Sequence, residues 1–168
     1  DSWGRDMRVE LLSADTTAAS ANDSSVVLMI EYRGRRILLA GDAEEALDET
    51  LVARYGPALR ADLLKAGHHG GVGTSSQELL DTVFPETVTA GQRYAIISSG
   101  RRENLPAADT LDRLLAKVSG SGLYRTDRSD ENQSQTTAPG DDHVLVRVTA
   151  EGDMIVCYAY PDRTDLTR

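Results

Sequence analysis

Two short strings of the sequence carry residue types that bind metal ions. In 38–42, an apolar pattern typical of a strand delivers a carboxylate, Asp42, at its C-terminal end. In 65–71, a second apolar pattern ends in the adjacent histidines His68 and His69, which begin a glycine-rich loop. Carboxylate oxygen and imidazole nitrogen are ligands for zinc and related ions, and strand ends hold such side chains rigidly. The two strings therefore predict a metal site, provided that the two strand ends lie side by side.

Each string also has an ordinary structural interpretation. A lone aspartate after a strand, such as Asp42, is more often the N-cap of the following helix than a metal ligand. A His-His-Gly-Gly turn can hold one histidine against a backbone carbonyl with no metal involved. However, only one helix and one strand separate the two strings, an arrangement that can bring neighbouring strand ends to one edge of a sheet. The two strings together favour a site more strongly than either does alone.

Hydrophobic patterning predicts the elements that position these residues. Apolar and β-branched runs predict strands at 7–12, 25–32, 36–40, 61–66, 94–98, 123–126, 143–149 and 154–160. Helical spacing predicts helices at 43–55, 75–83 and 107–118. A tight turn with Gly34 at a positive φ would join the second and third strands as a hairpin. The order predicts an α/β fold with helices against a mixed sheet, and the polar stretch 127–142 is expected to be a loop or an insertion.

Charge and composition exclude some classes of protein. The formal net charge is −9, which argues against broad, sequence-independent binding of a polyanion. Nucleic acid would have to be contacted locally, through metal ions or through Arg101 and Arg102. Cys157 is the single cysteine, so no internal disulfide is expected, and its apolar surroundings predict a buried thiol. No apolar run approaches the roughly 18 residues of a membrane helix.

Five segments, read in order, form a specific set of motifs. They are 22–28 (Asn-Asp-x-Ser, then apolar residues), 38–44 (Leu-Leu-x-Gly-Asp-x-Glu), 62–70 (Asp-x-Leu-Lys-x-x-His-His-Gly), 96–104 (Ile-Ile-Ser-x-Gly, ending in Asn) and 123–127 (Leu-Tyr-Arg-Thr-Asp). Together they resemble the metallo-β-lactamase superfamily. Within it they resemble the hydrolase domains of ComEC-type DNA-internalisation competence proteins and their free-standing relatives. The resemblance covers about residues 22–127.

The resemblance implies a four-layer αββα sandwich with one or two metal ions between the sheets, of which 1–168 would be the C-terminal part. It implies that Asp42 is a metal ligand that bridges two ions, and that His68 or His69 is a ligand or a proton donor to the leaving group. The implied cofactor is zinc, two ions in a complete site, with manganese as an alternative. A metal-activated water would attack a phosphodiester, ester or amide. The implied function is a phosphodiesterase or nuclease-like hydrolase acting on nucleic acid or a nucleotide.

The sequence departs from the family pattern in two places. The motif His-x-His-x-Asp-His is absent, and the chain has three histidines in all. We therefore expect an N-terminal half of the domain, not contained in this chain, to provide the first sheet and most ligands, and we expect this chain alone to bind metal weakly. The family's His-Pro is replaced by Leu105–Pro106. Either Asp109 or His143 could substitute as a ligand, although a surface or capping role is the more ordinary interpretation of both.

These departures leave more than one function open. The leading hypothesis is a metal-dependent hydrolase. A second hypothesis, from a different class, is a degenerate domain that binds a partner or ligand without turnover. A third is a plain α/β domain whose motifs match by accident.

Overall fold

Strands and helices alternate along most of the chain. The computed structural model describes residues 6–18, 20–86, 92–99, 105–126 and 143–159. Within these ranges the strands are β1 (Met7–Ser13), β2 (Val27–Tyr32), β3 (Arg35–Leu39), β4 (Leu63–Lys65), β5 (Tyr94–Ile97), β6 (Leu123–Arg125), β7 (Val144–Val148) and β8 (Met154–Tyr158). The α-helices are α1 (Glu45–Tyr55), α2 (Gln77–Val83) and α3 (Ala108–Lys117).

The first six strands form one mixed sheet in the order β1-β2-β3-β4-β5-β6. The pairs β1–β2 and β2–β3 are antiparallel, whereas β3–β4, β4–β5 and β5–β6 are parallel. Each parallel connection crosses over through one helix, α1, α2 or α3 in turn. The predicted α/β architecture, a mixed sheet with flanking helices, is therefore confirmed.

One face of this sheet packs against the three helices, and we call it the helix face. Leu38, Leu64 and Ile97 of the central strands lie in one buried cluster with Leu51 of α1, Leu80 of α2 and Leu114 of α3, all of them 0–1% exposed. Burying such a side chain contributes about 1.5–3 kcal/mol relative to leaving it in water. This cluster fixes the positions of β3, β4 and β5, whose C-terminal ends carry the residues of interest.

The opposite face of the sheet, which we call the ribbon face, is covered in part by β7 and β8. These two strands form an antiparallel ribbon, and Val156 and Tyr158 of the ribbon pack on Leu63 and Tyr124 of the sheet. The hydroxyl of Tyr158 accepts a hydrogen bond from the Arg125 amide and donates one to the Arg125 carbonyl, both at 3.0 Å. The ribbon is therefore held on the sheet by polar as well as apolar contacts.

The ribbon face continues onto β1 and β2 as a strip of apolar side chains. Register pairs Met7 with Tyr32, Val9 with Ile30 and Leu11 with Leu28, which places each pair on one face. Ile30 in turn pairs with Ile37, which packs beneath the ribbon, so these residues lie on the ribbon face. All six are partly or fully exposed, and Leu11 is 57% exposed. We call them the apolar strip: Met7, Val9, Leu11, Leu28, Ile30 and Tyr32.

Most predicted elements are present, with small shifts at their ends. The hairpin is confirmed, and both turn residues, Arg33 at φ 50° and Gly34 at φ 77°, adopt left-handed conformations. Two expectations are wrong. Asp42 does not cap α1, because the helix begins at Glu45 with Glu44 as its N-cap residue. Cys157 is partly exposed, because inward-facing residues alternate along β8 and Cys157 points to the outer side.

Some predictions fall outside the described residues. They are the expected loop or insertion at 127–142, the possible nucleic-acid contacts Arg101 and Arg102, and Asn104 of the fourth motif. Among the helices of the described ranges, none combines the length and the hydrophobicity needed to cross a bilayer.

Candidate functional site

The C-terminal ends of β3, β4 and β5 meet at one edge of the sheet. Because these neighbouring strands are parallel, the segments that follow them emerge side by side. Hydrogen bonds continue just past the strands, from the Ala40 amide to the Lys65 carbonyl at 3.4 Å and from the Ala66 amide to the Ile96 carbonyl at 2.9 Å. The predicted adjacency of the two strings that carry Asp42 and the histidines is therefore confirmed, and the segment after β5 lies beside them.

Gly67 allows the segment after β3 and the segment after β4 to approach closely. A Cβ on Gly67 would lie 2.3 Å from the Ala43 carbonyl oxygen, a distance that no side chain tolerates. Gly41, which has a φ of 60°, packs instead against the residues just before β2, where an added Cβ would lie 2.9 Å from the Val26 carbonyl oxygen. The His68 amide also donates to the Gly41 carbonyl at 3.3 Å. The segment that carries Asp42 and the segment that carries the histidines are thus in direct backbone contact.

His69 faces Asp42 in a defined orientation. Its Nδ1 lies 2.5 Å from the Ser98 carbonyl oxygen. Because a carbonyl only accepts, Nδ1 must carry the proton, and in the neutral ring Nε2 has the lone pair. That Nε2 lies 3.8 Å from Oδ1 of Asp42, and the two side chains are 46% and 47% exposed. Two acceptors therefore face each other, an arrangement that suits a shared cation.

The spacing of these two atoms is close to that of a ligand pair. Ligands bound at about 2.1 Å to one tetrahedral ion lie about 3.4 Å apart. The observed 3.8 Å between His69 and Asp42 is wider by a few tenths of an ångström. Histidines that bind metals commonly donate their other ring N–H to a backbone carbonyl, as His69 does to Ser98. The two residues fit a metal ion as two of its ligands.

His68 has different partners. Its Nδ1 lies 2.8 Å from Oε1 of Glu44, and the Asn22 amide donates to the same oxygen at 2.7 Å. A carboxylate accepts, so Nδ1 of His68 is the donor, and its 3.4 Å separation from the Asn22 nitrogen is a contact between two donors. Glu44 and Asn22 therefore fix the orientation of His68 and leave its Nε2 for another partner.

The backbone of the two histidines explains why their rings diverge. His68 has a φ of 37° and His69 a φ of 55°, both in the left-handed region. Such a conformation costs roughly 1–2 kcal/mol for a residue with a Cβ. The ring centroids lie 6.0 Å apart with planes at 60°. Consecutive histidines are thereby directed to different carboxylates, Asp42 and Glu44.

The two proposed substitute ligands lie elsewhere. Asp109 pairs with Arg113 at 2.9 Å in the first turn of α3, and this pairing holds the pKa of Asp109 below its usual value. His143 is exposed at the start of β7, where its carbonyl accepts the Ala159 amide at 2.7 Å. Pro106 occupies the neighbourhood of Gly70, where an added Cβ would lie 2.7 Å from the proline Cβ. The described contacts of Asp109 and His143 do not bring either to the His69–Asp42 pair.

Acidic side chains surround the carboxylate that binds His68. A cavity of about 400 Å³ that Glu44 helps to line is also lined by Asp23, Glu45 and Glu49. Nearby, Lys65 donates through Nζ to the Gly41 carbonyl at 2.8 Å. Burial lowers the pKa of Lys65, and the charge of Asp42 acts in the opposite direction. The negative surroundings attract cations and repel a polyanion that is not itself neutralised.

The described residues provide an incomplete ligand set. Among 6–18, 20–86, 92–99, 105–126 and 143–159, no group of three or more His, Cys, Asp and Glu side chains is arranged to hold a metal ion. Asn22 and Glu44 belong to two of the sequence motifs, but no role at the site was predicted for them. Their place in those motifs was the sequence signal that could have pointed to such a role. Ser98 holds the His69 ring through its backbone carbonyl. Every residue has such a carbonyl, so the residue type at this position gave no signal.

Comparison with known proteins gives a consistent picture. No protein-family model matches the chain. It is 35% identical over 98 residues to ComE operon protein 3 of Bacillus subtilis, which covers 58% of this chain and 12% of that protein. It is 33% identical over 108 residues to competence protein ComA of Neisseria gonorrhoeae, covering 64% of this chain and 15% of that protein.

A third relative has a different name. Recombination protein 2 of Haemophilus influenzae is 33% identical over 96 residues, which cover 56% of this chain and 11% of that protein. The matched stretch thus spans between 11% and 15% of the length of these relatives. The homologues of this chain are competence and recombination proteins, a set that fits the ComEC-type competence family whose motifs the sequence resembles.

Proposed function

We propose that this chain carries part of the catalytic site of a metal-dependent hydrolase with a metallo-β-lactamase-type αββα fold. The proposed substrate is a phosphodiester in nucleic acid or in a nucleotide, and the proposed setting is competence. The observation that carries the proposal is the pair His69 and Asp42. Its two acceptor atoms face each other across 3.8 Å, and the Ser98 carbonyl fixes the tautomer of the histidine.

The residues of this chain would have the following roles. Asp42 and His69 would hold zinc, or manganese, and Ser98 would keep the His69 ring in place. The ion when bound would act as a Lewis acid, lowering the pKa of water and neutralising phosphate charge. Nδ1 of His68 donates to Glu44, which the amide of Asn22 also binds. In its protonated form His68 would also carry a proton at Nε2, and from there it would donate that proton to the leaving group.

The sheet supports the proposed architecture. In an αββα sandwich the helices cover one face of each sheet and the two sheets pack together through the other. Here the three helices lie on the helix face, while the ribbon face carries an apolar strip with Leu11 57% exposed. A second sheet placed there would extend the layer that β7 and β8 begin. The N-terminal half that the sequence motifs imply would provide this sheet and the remaining ligands.

The proposed role in competence comes from the relatives. Two of them are named for competence or for the ComE operon, and the third is a recombination protein. A phosphodiester substrate agrees with those names and with hydrolase chemistry. The net charge of −9 implies that such a substrate is contacted locally and with the help of metal ions.

A second candidate function is a binding module without turnover. Leu105–Pro106, in place of the family's His-Pro, favours it. It predicts the same fold and the same apolar strip, but no hydrolysis by the complete protein.

Metal content and hydrolysis together test the proposal. Zinc and manganese should be measured by mass spectrometry on this chain and on the longer natural polypeptide in which the proposal places it. Asp42→Ala and His69→Ala are the test variants, and His143→Ala is the matched control. We expect near-stoichiometric metal in the longer protein, loss of metal in the two test variants, little metal in the short chain, and cleavage of bis(p-nitrophenyl) phosphate or single-stranded DNA. A longer protein that holds no metal and cleaves neither substrate would refute the catalytic function and favour the binding module.

A further inference from the structure

The segment 67–76, which carries both histidines, has an unusual backbone. His68, His69 and Ser75 have φ angles of 37°, 55° and 49°, in the left-handed region that residues with a Cβ rarely adopt. Gly70 and Gly73 both have a φ of 74°. A segment with this many left-handed residues persists only when its surroundings hold it in place. The contacts that hold it therefore matter for the position of the histidines.

Arg113 of α3 contacts the segment from one side. Its guanidinium donates to the Thr74 carbonyl at 3.0 Å and to the Ser75 carbonyl at 3.4 Å. Asp109, one turn earlier in the helix, orients the guanidinium through an ion pair at 2.9 Å. The side chain of Arg113 is 23% exposed, so these bonds are partly shielded from water. One arginine thus binds two consecutive carbonyls of the segment.

Asp48 of α1 contacts the same segment from a different helix. The residue is 1% exposed, and its Oδ2 accepts the Ser76 amide at 2.8 Å. Burial is the main cause that raises the pKa of Asp48 to about 7, against the lowering effect of the Ser76 hydrogen bonds. Because a buried polar side chain needs a hydrogen-bond partner, the Ser76 amide and Asp48 hold each other in place.

These contacts reach the histidines through Gly71. Its carbonyl accepts hydrogen bonds from the hydroxyls of Thr74 and Thr110, each at 2.8 Å. Its amide donates to the His68 carbonyl at 2.9 Å. Thr74 is also the residue whose carbonyl Arg113 binds. A displacement of 74–76 would therefore move Gly71 and, with it, the backbone of His68 and His69.

We propose that Asp48 and Arg113 are positioning residues, which hold the segment 67–76 from the two helices α1 and α3 and thereby place His69 opposite Asp42. Neither residue contacts the His69–Asp42 pair. The effect on the order of the segment is independent of any metal, whereas the effect on metal affinity rests on the proposed function.

Amide hydrogen exchange tests the first effect. The amide to follow is that of Gly71, because neither Asp48 nor Arg113 is its direct partner, and the Ala66 amide in the sheet is the internal reference. In Asp48→Ala and in Arg113→Gln, exchange at Gly71 should accelerate about tenfold or more, with Ala66 unchanged, because the segment opens locally. Asp48→Asn keeps an acceptor for the Ser76 amide and should stay within about threefold of the parent chain. Asp112→Asn, at an exposed position of α3, is the matched control.

Zinc titration against a chromogenic chelator tests the second effect. Asp48→Ala and Arg113→Gln should raise the zinc Kd by about tenfold, as loss of indirect support does at metal sites, and Asp48→Asn should restore it. Unchanged exchange at Gly71, or equal acceleration at Ala66, would overturn the proposal. So would faster exchange at Gly71 with unchanged zinc affinity. If Asp48→Ala does not fold, Arg113→Gln and Asp48→Asn decide by the same criteria. The titration is made on the longer polypeptide. A longer polypeptide that binds no zinc contradicts the proposed function alone, since the exchange result still decides on positioning.

Discussion

Nε2 of His69 lies 3.8 Å from Oδ1 of Asp42, although a helix and a strand separate the two residues in the chain. The distance follows from the parallel pairing of β3 with β4, which brings their C-terminal ends together. The Ser98 carbonyl, after the next parallel strand, holds the far side of the ring. Three neighbouring strands thus determine how one histidine faces one carboxylate.

The tautomer of His69 is a direct prediction of this contact. In the neutral ring the proton should be on Nδ1, because that atom donates to the Ser98 carbonyl. Long-range proton–nitrogen NMR correlation spectra distinguish the two tautomers. His143, which is exposed at the start of β7, provides the comparison within the same sample. A neutral His69 with its proton on Nε2 would contradict the orientation of the ring.

The two histidines should differ in their effect on metal binding. We expect Asp42→Asn and His69→Ala to raise the zinc Kd by more than about tenfold, because both remove a ligand. Glu44→Gln should change the zinc Kd by less than about threefold, since Glu44 bonds to His68. Titration against a competing chelator measures all three values. A larger loss in Glu44→Gln than in His69→Ala would show that His68 is the ligand.

Stability should depend on pH through Asp48. Burial raises its pKa from 3.8 to about 7, so the folded chain keeps a proton that the unfolded chain releases. The stabilisation is fully present below about pH 4 and is lost as the pH rises through about 7. Urea unfolding at about pH 5 and about pH 8 should therefore show that the parent chain loses stability relative to Asp48→Asn, by at most about 3 kcal/mol. The same comparison with Asp81→Asn should not show this loss, and a difference that grows in the opposite direction would contradict the assignment.

Gly67 should tolerate no side chain. Gly67→Ala would place a Cβ 2.3 Å from the Ala43 carbonyl oxygen, so the two segments must separate, at a cost of about 2 kcal/mol or more in the free energy of unfolding. Gly120→Ala is the matched control, because nothing lies within 4 Å of a Cβ there. Chemical unfolding of both variants measures the difference. Equal stabilities would mean that 41–43 and 67 are not packed as described.

The apolar strip can be tested with two adjacent leucines of β1. Leu11 is 57% exposed on the ribbon face, whereas Leu12 is 7% exposed in the core under the helices. We expect Leu11→Lys to change the free energy of unfolding by less than about 1 kcal/mol, and Leu12→Lys to cost about 3 kcal/mol or more. Thermal or chemical unfolding measures both. A comparable loss in the two variants would show that the strip is packed within this chain.

Local patterns in the sequence were sufficient for much of the fold. The hairpin followed from a turn with glycine between two apolar runs, and the parallel order followed from strands that alternate with helices. Cys157 was misplaced because the run 154–158 is apolar throughout. Such a run predicts a strand, but it does not say which residues face the sheet when the strand is part of a two-stranded ribbon.

The location of the candidate site could be predicted from the sequence, but the orientation of its side chains could not. Residue types and strand order were enough to bring Asp42 and the histidines together. The interpretation of Asp42 as a helix N-cap was wrong because α1 starts later, at Glu45. Gly41, at a φ of 60°, turns the chain just before Asp42. The separate orientations of His68 and His69 depend on two left-handed φ angles and on a backbone carbonyl, and none of these has a signature in residue type.

Asp42, the histidine pair and Ser98 each follow a different strand, and the sheet hydrogen bonds lie entirely behind them. A substitution at one of these positions therefore leaves the pairing of the strands untouched. Each proposed ligand could therefore be lost without loss of the fold, so that heat resistance and chemistry would change independently. A melting temperature would then not distinguish a chain with these residues from one without them, whereas the sequences of the three segments after β3, β4 and β5 would.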